Sequence, residues 1–242
     1  MRRGRTSPDS SFVVREGESL GILGESGSGK STTGRVLAGL LKPDSGAVLI
    51  EGEDVYAGSK GREHLRNRLS IVFQDYTTSA NPRFTIRRVI GEGIAVGARK
   101  TGEKIDYAEE TARLLRLVGL DESFAKRFPH ELSGGQLQRV CIARAIACRS
   151  ELILFDEAVS SLDAHTQVQI MDLLLDLKEK LGLTYIFITH DLTSITYFCS
   201  RVIFLKDGSV VADSPVSELS KLDVPYAKEL LGAVLDFNAE SA

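Results

Sequence analysis

Three short stretches carry residue types that together could bind a polyphosphate and direct water at it. In Gly24-Glu25-Ser26-Gly27-Ser28-Gly29-Lys30-Ser31-Thr32 the glycines let backbone N–H groups turn inward toward phosphate oxygens, and a helix opening at Lys30 presents its positive N-terminal dipole to the same charge. Lys30 would neutralise the β- and γ-phosphates, and the Ser31 hydroxyl would bind Mg²⁺. Farther on, the apolar run Leu152-Ile153-Leu154-Phe155 reads as a strand that delivers two adjacent carboxylates, Asp156 and Glu157, at its C-terminal end, where open α/β sheets bind ligands. Between these two, Ser133-Gly134-Gly135-Gln136 opens another helix with small residues, so that the Ser133 hydroxyl and the amides of Gly134 and Gly135 form an anion-binding terminus. By itself the glycine-rich loop leaves an ATPase, a small-molecule kinase and a GTPase open.

The elements that must hold these residues follow from periodicity and breakers. Residues 20–24 read as a strand entering the loop, and residues 30–41 as a helix stopped by Lys42-Pro43-Asp44-Ser45-Gly46. Residues 47–50 and 71–73 read as strands. After the break at Asn81-Pro82-Arg83 a mostly helical stretch follows, with Tyr107, Leu114, Leu115 and Val118 on one face. A helix runs from Gln136 to about Cys148, and the next helix after the carboxylates carries Ile170, Leu174, Leu177 and Leu181 as one apolar stripe. Residues 184–189 form a strand ending at His190, and residues 201–205 and 209–212 a hairpin turning at Asp207-Gly208. Strands alternating with helices imply an α/β core with a largely parallel sheet, interrupted by a helical insertion.

At 242 residues, 43% of them hydrophobic and 26% charged, the chain can bury a full core. A net charge of -3 lacks the basic footprint that phosphate contacts to nucleic acid require, so no nucleic-acid partner is expected. Arg2, Arg3 and Arg5 are followed by Thr6-Ser7-Pro8-Asp9-Ser10-Ser11 where a secretion signal needs an apolar segment, and no apolar run reaches the roughly 18 residues that span a bilayer. The cysteines Cys141, Cys148 and Cys199 have neither metal-ligand nor redox-pair spacing and are expected to be packed or surface thiols.

The fixed order of the three motifs, with Leu132 completing Leu132-Ser133-Gly134-Gly135-Gln136, resembles the ATP-binding subunits of ATP-binding cassette (ABC) transporters over about residues 12–211. The resemblance implies a P-loop NTPase core, residues 1–82 and 150–242 of a single domain 1–242, with residues 83–149 as a helical subdomain carrying the signature at 133–136. It implies ATP and Mg²⁺ as ligands, Asp156 holding Mg²⁺ through water, and Glu157 polarising the attacking water. By the same resemblance His190, in Ile188-Thr189-His190-Asp191, hydrogen-bonds the γ-phosphate, and Gln74 senses Mg²⁺ and the water. Ser133, Gly134, Gly135 and Gln136 would meet ATP held by the opposite subunit of a head-to-tail pair. Asp163, in Ser161-Leu162-Asp163, would lie in the loop crossing that dimer; an N-capping turn before a helix from Ala164 can hold at the same time.

Gln74-Asp75 with Ser79-Ala80-Asn81-Pro82-Arg83, Leu137-Gln138-Arg139 and Pro225-Tyr226-Ala227-Lys228 are similar to the oligopeptide, dipeptide and nickel importers of that family. Ala158-Val159, where most cassettes carry Pro and Thr, and Val140-Cys141-Ile142-Ala143-Arg144-Ala145 look most similar to nickel-importer subunits. The expected function is therefore ATP-driven import of nickel ions or metal chelates, with dipeptide or oligopeptide import as the alternative and a soluble non-transport ABC ATPase behind both. The implied partners are a second, paralogous ATPase subunit, two membrane-spanning permease subunits and an extracellular or periplasmic binding protein, with this chain peripheral at the cytoplasmic face. In one respect the chain departs from the family: residues 1–11 contain no aromatic to stack on adenine. The chain is expected to begin too late or to be truncated, and to bind ATP more weakly than a full cassette.

Overall fold

A computed structural model describes residues 10–240, with side-chain environments as far as Gly232. Strand β1 (Ser19–Leu23) runs through the glycine-rich loop into helix α1 (Lys30–Leu37), and a short hairpin, β2 (Leu49–Ile50) and β3 (Glu53–Asp54), leads to α2 (Gly58–Arg68). Strand β4 (Leu69–Phe73) is followed by α3 (Tyr76–Ser79), α4 (Ile86–Thr101), α5 (Tyr107–Leu117) and α6 (Gly134–Ala147), then by β5 (Leu152–Asp156) and α7 (Ala164–Leu181). The chain continues through β6 (Thr184–Thr189), α8 (Leu192–Phe198), β7 (Arg201–Lys206), β8 (Ser209–Pro215) and α9 (Pro225–Glu240).

Two compact units result: one from the chain up to Leu65 and again from Gly182, the other from Arg66–Leu181. In the first, β1 pairs in parallel with both β6 and β7, and β8 returns antiparallel to β7 across the predicted Asp207-Gly208 turn. All residues of β1 and β6 are buried, as a strand covered on both faces requires, and Leu20, Tyr185, Phe187 and Phe204 fill the core. In the second, β4 and β5 pair in parallel, α6 packs on β4, and α4 packs on α6. Every helix between β4 and β5 belongs to this second unit, which also takes in the two strands and α7. The division falls at Leu65 and Leu181.

Several boundaries depart from the sequence expectation. Helix α1 ends at Leu37, short of residue 41, because Gly39 takes a left-handed φ of 72° and the N–H groups of Leu40 and Leu41 turn back onto the Arg35 carbonyl. Both leucines are consequently exposed. The strand expected over 47–50 shortens to Leu49–Ile50. Leu114, Leu115 and Val118 are fully buried, but Tyr107, first residue of α5 after the Asp106 cap, is exposed, as is Leu181 at the end of α7. Helix α2 escaped notice because it buries only Gly61 and Leu65 and shows no apolar stripe. Cys141 and Cys199 are buried, Cys148 half-buried, and all three are free thiols.

Helices α4 and α6 approach unusually closely at Gly93, where an added Cβ would run into the Arg144 carbonyl oxygen and come within 2.9 Å of the Ala147 Cβ. Gly93→Ala is therefore expected to destabilise the chain by about 1–3 kcal/mol, the cost of overpacking a tight contact. An unchanged urea midpoint would show that the helices can part at no cost.

Candidate functional site

In the first unit the glycine-rich loop is built outward from Lys30. Its ammonium, on a side chain 5% exposed, donates to the carbonyls of Gly24 (2.5 Å) and Glu25 (2.9 Å), so the loop wraps the charge it displays. Glu25 O also accepts the Ser28 N–H at 3.2 Å, which tightens the turn. Gly29, the N-cap of α1, sits at φ 106°, a conformation open to glycine at little cost, and Gly24 passes against the Leu205 carbonyl where a side chain would collide. Outside the turn, the Gly208 N–H donates to Ser28 O at 2.8 Å and fixes the loop to the β7–β8 hairpin. The Ser28 hydroxyl is buried without a hydrogen-bond partner among the described residues, as suits a cradle whose remaining acceptors come from a bound phosphate. Ser26 and Ser31 are exposed, and Thr32 follows half-buried in the first turn of α1. His190 joins this group because β1 and β6 run in register, Leu23 opposite Thr189, so that it emerges level with Gly24. The next residue, Asp191, caps α8 by accepting the N–H groups of Thr193 and Ser194.

In the second unit the carboxylates Asp156 and Glu157 leave β5 beside the end of β4, where Phe73 pairs with Asp156 and Gln74 follows. Glu157 occupies a left-handed φ of 49°, a strain of about 1–2 kcal/mol for a residue with a Cβ. Ser160 stabilises that turn: its N–H (3.2 Å) and its hydroxyl (2.9 Å) both donate to the Glu157 carbonyl, and the same hydroxyl accepts from Gln74 Nε2 at 3.3 Å. Asp75 caps α3, and hydrogen bonds from the Thr77 hydroxyl and the Thr78 N–H hold its carboxyl down to about 2, so it is ionised at neutral pH.

Ser133 caps α6 with a reciprocal box: its hydroxyl accepts from the Gln136 N–H at 3.3 Å while Gln136 Oε1 accepts from the Ser133 N–H at 3.0 Å. The two glycines after it face the ends of neighbouring side chains, which would have to shift to admit a Cβ. A Cβ on Gly134 would lie 2.6 Å from the Tyr76 hydroxyl, and one on Gly135 would lie 2.5 Å from Thr166 Cγ2. Thr166 in turn donates its N–H and its hydroxyl to the Asp163 carboxylate, which caps α7 and is thereby held below the usual carboxylate range. Residues 133–136 and Asp163 are thus joined through Thr166, and Gln74 and Glu157 through Ser160. Asp163 directly before a helix is an N-capping signal readable in sequence; for the contact of Tyr76 with Gly134 no local pattern exists. The region expected to lack an adenine-stacking aromatic lies mostly in residues 1–9, outside the described ones.

Residues 8–160 match the family described as ABC transporter. The chain is 42% identical over 231 residues to the nickel import ATP-binding protein NikE of Rhodospirillum rubrum, covering 94% of this chain and 82% of that protein. It is also 42% identical over 232 residues to the oligopeptide transport ATP-binding protein OppF of Bacillus subtilis, covering 93% and 75%. Among solved structures, the dimeric post-hydrolysis state of the ATP-binding cassette MJ0796 bound to ADP and Pi superimposes with a TM-score of 0.75 at 32% identity, covering 86% of this chain and 89% of that one.

Proposed function

Because the chain belongs to the ABC transporter family, we propose that its ATP hydrolysis energises import of nickel ions or metal chelates across the cytoplasmic membrane. The observation that carries this reading is a phosphate loop closed around Lys30 in a chain that aligns over 94% of its length with a nickel import subunit. Equal identity, 42%, to an oligopeptide transport subunit favours dipeptide or oligopeptide import as the second reading.

In this proposal residues 24–32, with the Lys30 ammonium, hold the phosphates of ATP, and Glu157 orients the water and accepts its proton as it attacks the γ-phosphate in line. Ser31, Gln74 and Asp156 offer oxygen donors of the kind that Mg²⁺ takes. When bound, the ion offsets the charge on the β- and γ-phosphates. His190 donates to the γ-phosphate. Residues 1–82 and 150–242 act as the nucleotide-binding core and 83–149 as the helical subdomain. A second, paralogous subunit pairs head to tail, its Ser133, Gly134, Gly135 and Gln136 equivalents completing this chain's site while Asp163 lines the junction. Among the described residues no helix is long and apolar enough to cross a membrane. Two permease subunits do so in this proposal, a binding protein delivers cargo from outside, and the chain works at the cytoplasmic face.

Cells in which this chain carries Glu157→Gln are expected to lose nickel uptake by about tenfold or more while dipeptide uptake persists. Loss of dipeptide uptake alone would transfer the chain to peptide import.

A further inference from the structure

The importer-like tail Pro225-Tyr226-Ala227-Lys228 has no part in the chemistry above, yet the first turn of α9 carries it back onto the phosphate loop. Tyr226 is 6% exposed and Ala227 wholly buried. The Tyr226 hydroxyl oxygen accepts the Glu25 N–H at 3.1 Å, and the hydroxyl faces the Leu205 carbonyl at 3.5 Å, the same carbonyl that crowds Gly24. Lys206 covers its ring, with Nζ 4.6 Å from the centroid. Both backbone groups of Glu25 are thereby occupied: the N–H by Tyr226, and the carbonyl by Ser28 N–H and the Lys30 ammonium. The Gly24–Glu25 peptide can turn only if the bond from its N–H to Tyr226 or the bond from Lys30 to its Gly24 carbonyl gives way. Because Lys30 takes its direction from that carbonyl and from the Glu25 carbonyl of the next peptide, whatever fixes the Gly24–Glu25 peptide also helps to fix the ammonium.

We infer that Tyr226 is a positioning residue of the nucleotide site: its hydroxyl pins the Gly24–Glu25 peptide, aims the Lys30 ammonium, and makes the C-terminal helix part of the ATP-binding apparatus. This rests on the assignment of residues 24–32 as the phosphate loop. A hydrogen bond of this kind contributes about 0.5–1.5 kcal/mol net, equivalent to a factor of about 2 to 12 in affinity. It holds the loop alike in the ATP-bound ground state and in the transition state, so the effect falls on binding and leaves the chemical step alone.

The test uses the full chain and compares wild type, Tyr226→Phe and Tyr226→Leu. Phe keeps the ring, its packing and the Lys206 contact, and removes only the hydroxyl. The expected result for Phe is a Kd for Mg-ATP raised about 2- to 12-fold, a thermal midpoint lowered by about 1–6 °C by calorimetry (the shift of about 0.5–1.5 kcal/mol), and amide exchange at Glu25 accelerated severalfold. Leu should weaken binding at least as much and lower the midpoint further. Wild-type affinity in the Phe variant, or a lowered midpoint with affinity intact, would overturn the inference, the second outcome making Tyr226 a packing residue only. Absence of Mg-ATP binding in wild type itself would instead remove the phosphate-loop assignment, and the positioning role with it.

Discussion

Glu157→Gln is expected to cut ATP turnover by about 100-fold or more while Mg-ATP stays bound, the loss typical of removing a general base. The substitution is close to isosteric. The left-handed backbone at Glu157 is set by the two donors of Ser160 to its carbonyl, and neither involves the side chain that changes. Gln74 keeps its contact with the Ser160 hydroxyl as well. The variant thus alters one property, the ability to accept a proton from water at the end of β5. Phosphate release and nucleotide retention measured on the same preparation separate the outcomes. Turnover above a tenth of wild type with normal retention would take Glu157 out of the chemistry, and lost retention would make it a binding residue.

Lys30→Met is expected to act one step earlier and weaken Mg-ATP binding about 10- to 100-fold, since a hydrogen bond to a charged group contributes about 1.5–3 kcal/mol. Methionine fills a volume close to that of the buried lysine stem, so the packing beneath the loop is largely kept. The substitution does leave the Gly24 carbonyl without its Lys30 donor, whereas the Glu25 carbonyl retains the Ser28 N–H. A fall in stability of about 1 kcal/mol should therefore accompany the lost affinity. Titration calorimetry with Mg-ATP measures the first, and a thermal scan without nucleotide the second. Affinity within threefold of wild type would mean that the loop amides alone hold the phosphates.

Much of the local geometry of the candidate site was legible in the sequence because it is built between near neighbours. Residues 24–32 are consecutive, and a strand ending in glycines before a helix N-terminus states its preference for anions within nine residues. The box made by Ser133 and Gln136 spans four residues, the apolar run into Asp156 and Glu157 spans six, and Asp207-Gly208 announces its hairpin. Each is an interaction between near neighbours, so residue type and spacing suffice. Expectations failed where a helix end or face depended on backbone handedness, as at Gly39 beyond α1, or where a helix was too polar to show a stripe, as in α2.

What the sequence alone determined is the identity of the reactive groups: a lysine in a glycine-rich loop, paired carboxylates after a buried strand, a Ser-capped helix opening with two glycines. What the tertiary structure decided is how those groups are held. Ser160 reaches Gln74 across 86 positions and Tyr226 reaches Glu25 across 201, while Tyr76 and Thr166 close in on residues 134 and 135, leaving little room beyond a glycine. Such contacts leave no periodic trace, because they arise only when β4 pairs with β5, and β1 with β6 and β7.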